Sequence, residues 1–176
     1  MDKYICLDIG GTAIKYGLAD SRGRLFNKDS IPNCIARDGV DAFLEQVLGL
    51  IGPYQKYFKI QGAAVSMAGM VNPLTGEMMH AAPHFPGLTG INLMQLVTNR
   101  LHLPCWVEND VNCAALGEYW LGNGKGPKAC SALRWGPVSA APLYWTGNCG
   151  PAAASPLVKW DRPNWAAGST GKKRLR

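Results

Sequence analysis

The 176-residue sequence lacks several features that would each place it in a particular class of protein. No apolar run is long enough to cross a bilayer, so a membrane-spanning helix and a membrane partner are not expected. The N-terminus has neither the charged start nor the small-residue cleavage site of a signal peptide. The six cysteines include no C-x-x-C pair, which favours reduced, buried thiols over disulfides or a metal site. Together these observations predict a cytosolic protein.

Acidic residues are almost missing from the last part of the chain. Residues 128–176 contain eight lysines and arginines against one acidic residue, Asp161, for a net charge of +7. Residues 1–127 contain ten basic and eleven acidic residues, for a net charge of −1. A basic tail can bind nucleic acid. A segment that was never selected as protein could be equally basic. Residues 1–127 give no reason to expect a nucleic-acid partner.

Residues 1–127 alternate between strand and helix patterns. Three short apolar runs separated by turns, at residues 4–10, 13–20 and 24–32, predict a meander of three strands. A helix is predicted over 40–58, a strand over 59–69 and a hairpin over 70–81 that contains N-P-x-T-G. A second helix over 91–101, a strand over 103–109 and a helix from Asp110 follow. This order predicts an α/β domain with a mixed sheet.

The first motif with chemical content is D-I-G-G-T-A-I-K, residues 8–15. Gly10 and Gly11 permit a sharp turn whose N–H groups can approach a ligand, and Thr12 adds a hydroxyl. Such a concavity suits phosphate oxygens, and Asp8 at the strand end could hold Mg²⁺ through water. Lys15 would supply positive charge or extend along the surface. An ordinary hairpin turn is the alternative interpretation.

The second motif is E-N-D-V-N, residues 108–112. Asp110 follows a predicted buried strand, where it would cap a helix or act as a base. A carboxylate at a strand end can accept a proton from a hydroxyl that attacks a phosphoryl group. Asn109 and Asn112 offer donor and acceptor groups suited to recognising hydroxyls.

The third segment is rich in small residues and runs from Ser66 through Gly69 to Asn72, with A-P-H-F-P-G following at residues 82–87. Small side chains leave room for a ligand beside the backbone. His80 and His84 are predicted to be loop histidines, because no cluster of further metal ligands surrounds them.

These motifs, in this spacing, resemble the ROK family of bacterial sugar kinases and related repressors, within the actin-like ATPase superfamily. The resemblance covers residues 3–126. It implies a ribonuclease H-like N-terminal lobe with a mixed sheet, ATP and Mg²⁺ as cofactors, and a sugar substrate. It also implies a phosphate loop at Asp8–Thr12, a catalytic base at Asp110, a sugar contact at Asn109 and a position near the sugar for Gly69. Full-length members of the family are often homo-oligomers.

The resemblance leaves two further interpretations open beside an ATP-dependent hexose kinase. One is a sugar-responsive transcriptional regulator or a non-catalytic sugar-binding protein, and the other is an inactive, pseudogene-like fragment. Repressor members carry a helix-turn-helix before the D-I-G-G-T motif. That motif begins at residue 8 here, which favours the kinase branch.

Residues 128–176 depart from the pattern that the resemblance implies. A second glycine loop of the form G-T-G-I-G-G, an E-x-G-H segment and a cysteine-rich zinc loop are all expected there, and none is present. We therefore predict one ROK lobe at 1–127, no second lobe, no structural zinc site, and a poorly ordered basic tail at 128–176. A kinase without the second loop is expected to be inactive.

The genetic code offers an explanation for the departure. If the codons of Leu133–Gly150 are read one frame away, ordinary codon choices allow A-L-G-T-G-I-G-G-A-I-I-L-D-G-K-L-R, which contains the missing loop. The alternative is a genuine basic, tryptophan-rich binding tail. The code forces four residues of the shifted reading, and all four fit the family: glycine from Trp135–Gly136, leucine from Tyr144–Trp145, aspartate from Trp145–Thr146 and leucine from Asn148–Cys149.

Overall fold

The computed structural model describes residues 1–122 and, beyond them, the backbone of three strands at 129–132, 143–146 and 150–152. The chain divides into two compact units, residues 1–113 and 114–176, and each is described by itself. The helices and strands of the first unit follow the predicted order. They are β1 Lys3–Ile9, β2 Ala13–Asp20, β3 Leu25–Pro32, α1 Ile35–Tyr57, β4 Ile60–Met67, β5 Gly69–Val71, β6 Met78–Ala81, α2 Leu93–Leu101, β7 Cys105–Asn109 and the start of α3, Asp110–Trp120.

Five of these strands form one mixed sheet in the order β3-β2-β1-β4-β7. β1 and β3 each pair with β2 in antiparallel fashion, whereas β1, β4 and β7 are parallel. This confirms the α/β fold with a mixed sheet. The three parallel strands end at one edge of the sheet, at Ile9, Met67 and Asn109. Open α/β sheets bind ligands beyond such carboxyl ends.

The core lies on one face of the sheet because the strands alternate between apolar and polar residues. In β1, Ile5, Leu7 and Ile9 are buried in the core, while the residues between them face the opposite side. Helix α1 adds Phe43 and Val47, which are completely buried, so the predicted apolar face of this helix is confirmed. Burial of each such side chain contributes about 1.5–3 kcal/mol to folding.

Helices α1 and α2, which pack on the core face of the sheet, differ in their backbone geometry. The backbone of α1 leaves the helical region at Gly39, where φ is 83°, so the helix is kinked near its start. Helix α2 begins at Asn92, whose side chain accepts a hydrogen bond from the N–H of Gln95 at 2.8 Å. It ends at His102 in a left-handed conformation, with φ of 52°. Polar caps of this kind satisfy N–H groups that the helix itself leaves open.

The described cysteines in the first unit are free thiols, of which Cys105 is buried as predicted and Cys6, Cys34 and Cys113 are half-buried. Burial raises the pKa of Cys6 to about 11 and the pKa values of Cys105 and Cys113 to about 12. These thiols are therefore protonated at neutral pH and poor nucleophiles. Among the residues that the structure describes, no helix has the length and apolar content to cross a bilayer.

The second unit contains the rest of α3 and a three-stranded antiparallel sheet. Its strands are β8 Ala129–Ala132, β9 Leu143–Thr146 and β10 Gly150–Ala152, in the order β10-β9-β8. The sequence patterns of residues 128–176 do not predict these strands. The predicted boundary at residue 127 lies outside the described residues, as does most of the predicted tail. Both stay predictions.

Candidate active site

A row of four polar residues crosses the sheet near its carboxyl edge, on the face opposite the core. The strand registers pair Lys15 with Asp8, Asp8 with Ser66 and Ser66 with Glu108. The Ser66 hydroxyl donates to Asp8 Oδ1 at 3.1 Å. Residues in register on neighbouring strands share a face, so one line brings all three sequence motifs together.

Asp8 and Lys15 form the exposed end of this polar row. Lys15 Nζ lies 3.9 Å from Asp8 Oδ2, and the two side chains are 73% and 55% exposed. An ion pair with this exposure adds little to stability. Both charged groups are therefore accessible to a ligand at the end of β1.

The conformation of the turn between β1 and β2 is fixed by hydrogen bonds to its carbonyl groups. The Gly10 N–H donates to the carbonyl of Ala13 at 2.9 Å, which closes the turn. Asn33 fixes two carbonyls, because its side-chain amide donates to Gly10 at 2.8 Å and its N–H donates to Thr12 at 3.0 Å. Within the described part of the chain, the N–H groups of Gly11 and Thr12 have no protein acceptor. Adjacent N–H groups of this kind suit an anion.

Asn33 is a site residue that sequence reasoning missed. It follows β3 and lies 23 residues from Gly10 in the chain. Only the pairing of β2 with β3 brings it to the turn, and no local pattern indicates that pairing in detail.

Asn109 has two structural roles at the junction of β7 and α3. Its Oδ1 accepts hydrogen bonds from the N–H groups of Val111 and Asn112 at 2.9 and 3.2 Å, so Asn109 is the N-terminal cap of α3. Its Nδ2 donates to the carbonyl of Gly69 at 2.8 Å. The interpretation that Asp110 caps the helix is wrong, because a cap must precede the first helical residue and Asp110 is that residue.

Asp110 lies half-buried at the first position of α3, beyond the carboxyl end of β7. The Val111 N–H lies 2.9 Å from its Oδ1. The Val111 N–H is thus shared between the Asn109 and Asp110 side chains.

Glu108 is the half-buried end of the polar row. Its Oε1 accepts hydrogen bonds from the Asn109 N–H and from Asn112 Nδ2, both at 2.7 Å. Burial raises the pKa of Glu108, although the two hydrogen bonds act in the opposite direction. Sequence reasoning noted Glu108 within its motif and gave it no role. Its burial depends on the sheet register, which the motif alone does not reveal.

Gly69 begins the β5–β6 hairpin in a conformation that only glycine adopts readily. Its φ is 134°, and a Cβ atom there would lie 2.7 Å from Met78 Sδ and 2.8 Å from the carbonyl oxygen of His80. The hydrogen bond from Asn109 therefore reaches a backbone whose course is fixed. His80 lies in β6, so the prediction that it is a loop residue is wrong, whereas His84 lies in a loop as predicted.

The residues at this edge fit a magnesium ion that is shared with a phosphate ligand. Among the described residues, no three histidines, cysteines or acidic residues cluster as a complete metal site. Mg²⁺ needs no such cluster, because it usually keeps several waters and binds one or two carboxylates together with substrate phosphates. Asp8 provides one accessible carboxylate beside the Gly10–Thr12 turn. The predicted absence of the zinc loop concerns residues outside the described part.

Known proteins resemble the chain in sequence and in fold. The sequence profile described as the ROK family matches residues 4–134. An uncharacterized protein of Clostridium perfringens is 38% identical over 136 residues, which are 77% of this chain and 46% of that protein. A beta-glucoside kinase of Listeria innocua is 38% identical over 125 residues, which are 70% of this chain and 40% of the kinase.

A solved structure shows the same likeness. The ROK family glucokinase of Streptomyces griseus, in complex with glucose and AMPPNP, superposes with a TM-score of 0.68 at 26% sequence identity. The superposition covers 83% of this chain and 45% of the glucokinase. The chain therefore spans less than half the length of each of these relatives.

Proposed function

The chain belongs to the ROK family. From this premise we propose that it forms the first lobe of an ATP-dependent kinase that acts on a hydroxyl of a hexose-type sugar. The observation that carries the proposal is the meeting of two motifs at one sheet edge. The Gly10–Thr12 turn follows β1 and Asp110 follows β7, and these strands run parallel on either side of β4. A phosphate group and a sugar hydroxyl bound at this edge would lie between the two motifs.

Asp110 is the proposed base. Its half-buried carboxylate would accept the proton of the sugar hydroxyl as the oxygen attacks the phosphoryl group. Asn109 cannot use all of its hydrogen-bonding groups on a sugar, because its Oδ1 caps α3 and its Nδ2 binds Gly69. The second N–H of its amide remains for a sugar hydroxyl. Gly69 would border the sugar through its fixed backbone.

The Gly10–Thr12 turn is the proposed site for the phosphates of ATP. The two N–H groups of Gly11 and Thr12 would donate to phosphate oxygens, together with the Thr12 hydroxyl. Asp8 would hold Mg²⁺ through water, and Lys15 would add positive charge beside it. When bound, Mg²⁺ would neutralise phosphate charge during transfer.

We also propose that the reading frame changes in the segment between about residues 127 and 134. The family match ends at residue 134, next to Leu133, the first residue of the segment whose shifted codons allow a second glycine loop. Phosphoryl transfer depends on gripping the nucleotide from both lobes. The chain as written is therefore proposed to be inactive, whereas a frame-restored chain would be a cytosolic sugar kinase.

A coupled assay of ADP release tests this proposal. The chain as written and a frame-restored version are each given ATP, Mg²⁺ and a panel of hexoses. Turnover is expected with the restored chain alone. If the chain as written turns over ATP with any hexose, the frame-change proposal is wrong. If the restored chain binds glucose in calorimetry but never releases ADP, the non-catalytic sugar-binding alternative is favoured.

A further inference from the structure

The imidazole of His84 lies directly on the glycine turn of the candidate active site. A Cβ atom built on Gly11 would be 2.6 Å from His84 Cδ2 and 2.9 Å from His84 Cγ. Real Cβ atoms do not approach ring carbons this closely, so only glycine at position 11 allows this packing. Gly11 does not have a positive φ, so the contact with His84 is the steric reason for a glycine at this position.

The position of His84 is fixed by its neighbours. Its ring packs against that of Phe85, with 4.5 Å between centroids, and Phe85 is completely buried against Phe43 of α1. Pro83 and Pro86 flank the pair and restrict the backbone on both sides. The imidazole is thus held on the turn by the core, in the manner of a preorganised binding group.

The ring nitrogens of His84 are available to a ligand. The side chain is half-buried, and no described residue donates to or accepts from either nitrogen. A histidine ring always carries at least one N–H donor, and two when it is charged. The turn beneath it presents the N–H groups of Gly11 and Thr12, which also lack protein acceptors in the described part of the chain. The ring contacts Gly11, so donors from two different segments lie at this turn.

We propose that His84 is an additional phosphate-binding residue, which donates a hydrogen bond to the phosphoryl group held by the Gly11 and Thr12 N–H groups. This inference rests on the proposed function, because it assigns a further ligand to the same phosphate. A phosphate is favoured over the sugar because His84 contacts Gly11. The close neighbours of Gly69 on the sugar side are instead Met78 and His80, with Asn109 as its hydrogen-bond donor.

Calorimetric titration of the full 176-residue chain with AMP-PNP and Mg²⁺ tests the proposal. His84→Phe keeps an aromatic ring on Gly11 but removes the donor, whereas His84→Gln keeps a donor. The Phe variant is expected to bind AMP-PNP about tenfold more weakly, the usual effect of losing a hydrogen bond to a charged group. The Gln variant is expected to retain most of the affinity. His102→Asn, at the left-handed end of α2, is the control and should bind unchanged.

Two further measurements separate failure of this inference from failure of the proposed function. The amide resonances of Gly11 and Thr12 should shift when AMP-PNP is added to the unaltered chain, and glucose affinity should not differ between the His84 variants. If the amides shift but the Phe variant binds AMP-PNP as tightly as the unaltered chain, the role of His84 is refuted and the phosphate loop stands. If His84→Phe weakens the binding of glucose instead of AMP-PNP, His84 contacts the sugar and the proposal is refuted. If neither amide shifts in this chain or in the frame-restored version, the phosphate loop and the inference are both refuted.

Discussion

Nδ2 of Asn109 donates to the carbonyl oxygen of Gly69 at 2.8 Å, across 40 residues of chain. The Oδ1 of the same side chain caps α3. One amide therefore ties the β5–β6 hairpin to the junction that carries Asp110. This side chain therefore helps to position the proposed base relative to the hairpin.

Asn109→Asp separates the two roles of this amide. Aspartate caps a helix as well as asparagine does. It cannot donate to Gly69, and its charge would face a carbonyl oxygen. We expect a loss of about 1–3 kcal/mol in the free energy of unfolding, measured by urea denaturation.

The control for this change is Asn92→Asp, at the cap of α2. Asn92 accepts from the Gln95 N–H, and among the described residues its Nδ2 has no acceptor. This variant should be close to neutral. Equal losses in the two variants would show that the Gly69 hydrogen bond contributes nothing.

Asp110→Asn, introduced into a frame-restored chain, should lower kcat by about 10²–10⁴-fold, because the amide cannot accept the proton of the sugar hydroxyl. The substitution preserves size, so the melting temperature should change little. Steady-state ADP release with the preferred hexose is the measurement. Asp41→Asn, on the exposed surface of α1, provides a matched charge change that should not affect kcat. Unchanged turnover in a folded Asp110→Asn protein would remove Asp110 from the mechanism.

The Glu108→Gln variant should become more stable, relative to the unaltered chain, as the pH rises. Burial raises the pKa of Glu108 in the folded state above its ordinary value of 4.5. The folded state therefore resists ionisation, and Glu108 reduces stability as the pH rises from 4.5 through the folded pKa. Glutamine keeps an oxygen that can accept from Asn109 and Asn112 but carries no charge. In urea denaturation between pH 4 and pH 8, the free energy of unfolding of the variant should rise relative to that of the unaltered chain. A difference in unfolding free energy that does not change with pH would contradict this.

Asp20→Asn should show the opposite pH dependence. Burial acts to raise the pKa of Asp20, but hydrogen bonds from the Arg24 side chain and from the N–H groups of Arg22 and Arg24 outweigh it and lower the pKa. The stability that the carboxylate provides is present above the unfolded pKa and is lost as the pH falls through the folded value. The variant should therefore be destabilised at pH 7 and approach the unaltered chain only at about pH 2, well below the ordinary pKa of 3.8. Thermal unfolding at both pH values measures the change.

Gly11→Ala should destabilise the protein more while the His84 ring is present than after it is removed. The new methyl group would collide with the imidazole, at a cost of about 1–3 kcal/mol. In a His84→Ala background only the Cβ atom of residue 84 remains close, at 3.1 Å, so the same substitution should cost less. A double-mutant cycle in urea measures this coupling, and additive effects would contradict it. Gly49→Ala is the control, because a Cβ atom there meets nothing within 4 Å and alanine favours the helix.

The order of strands and helices could be predicted because each element of the first unit carries its own local signal. The apolar period of α1, the N-P-x-T-G turn of the hairpin and the run before Asp110 are examples. The residues of the site were predicted from motifs that the resemblance made specific. Asp8, Gly10, Gly11 and Thr12 do lie beside one another at the end of β1.

The features of the site that the sequence did not predict depend on contacts between distant parts of the chain. Asn33 reaches Gly10 only after β2 and β3 have paired, and His84 reaches Gly11 only after Phe85 is buried. The cap of α3 was placed one residue too late, because Asn and Asp are equally good caps and the sequence E-N-D contains both in succession. A pattern of residue types cannot distinguish such neighbours.

The row from Lys15 to Glu108 also limits how this gene can change in length. Successive residues of a strand face opposite sides, so one inserted or deleted codon within β1 would turn Asp8 into the core and expose its apolar partners. β4 lies between two parallel neighbours and is constrained in the same way. The pairing of β2 with β3 already contains an irregularity between Tyr16 and Leu18, at the edge of the sheet. Length variation among natural sequences should therefore be tolerated at β3 and in the turns, and be rare in the three parallel strands.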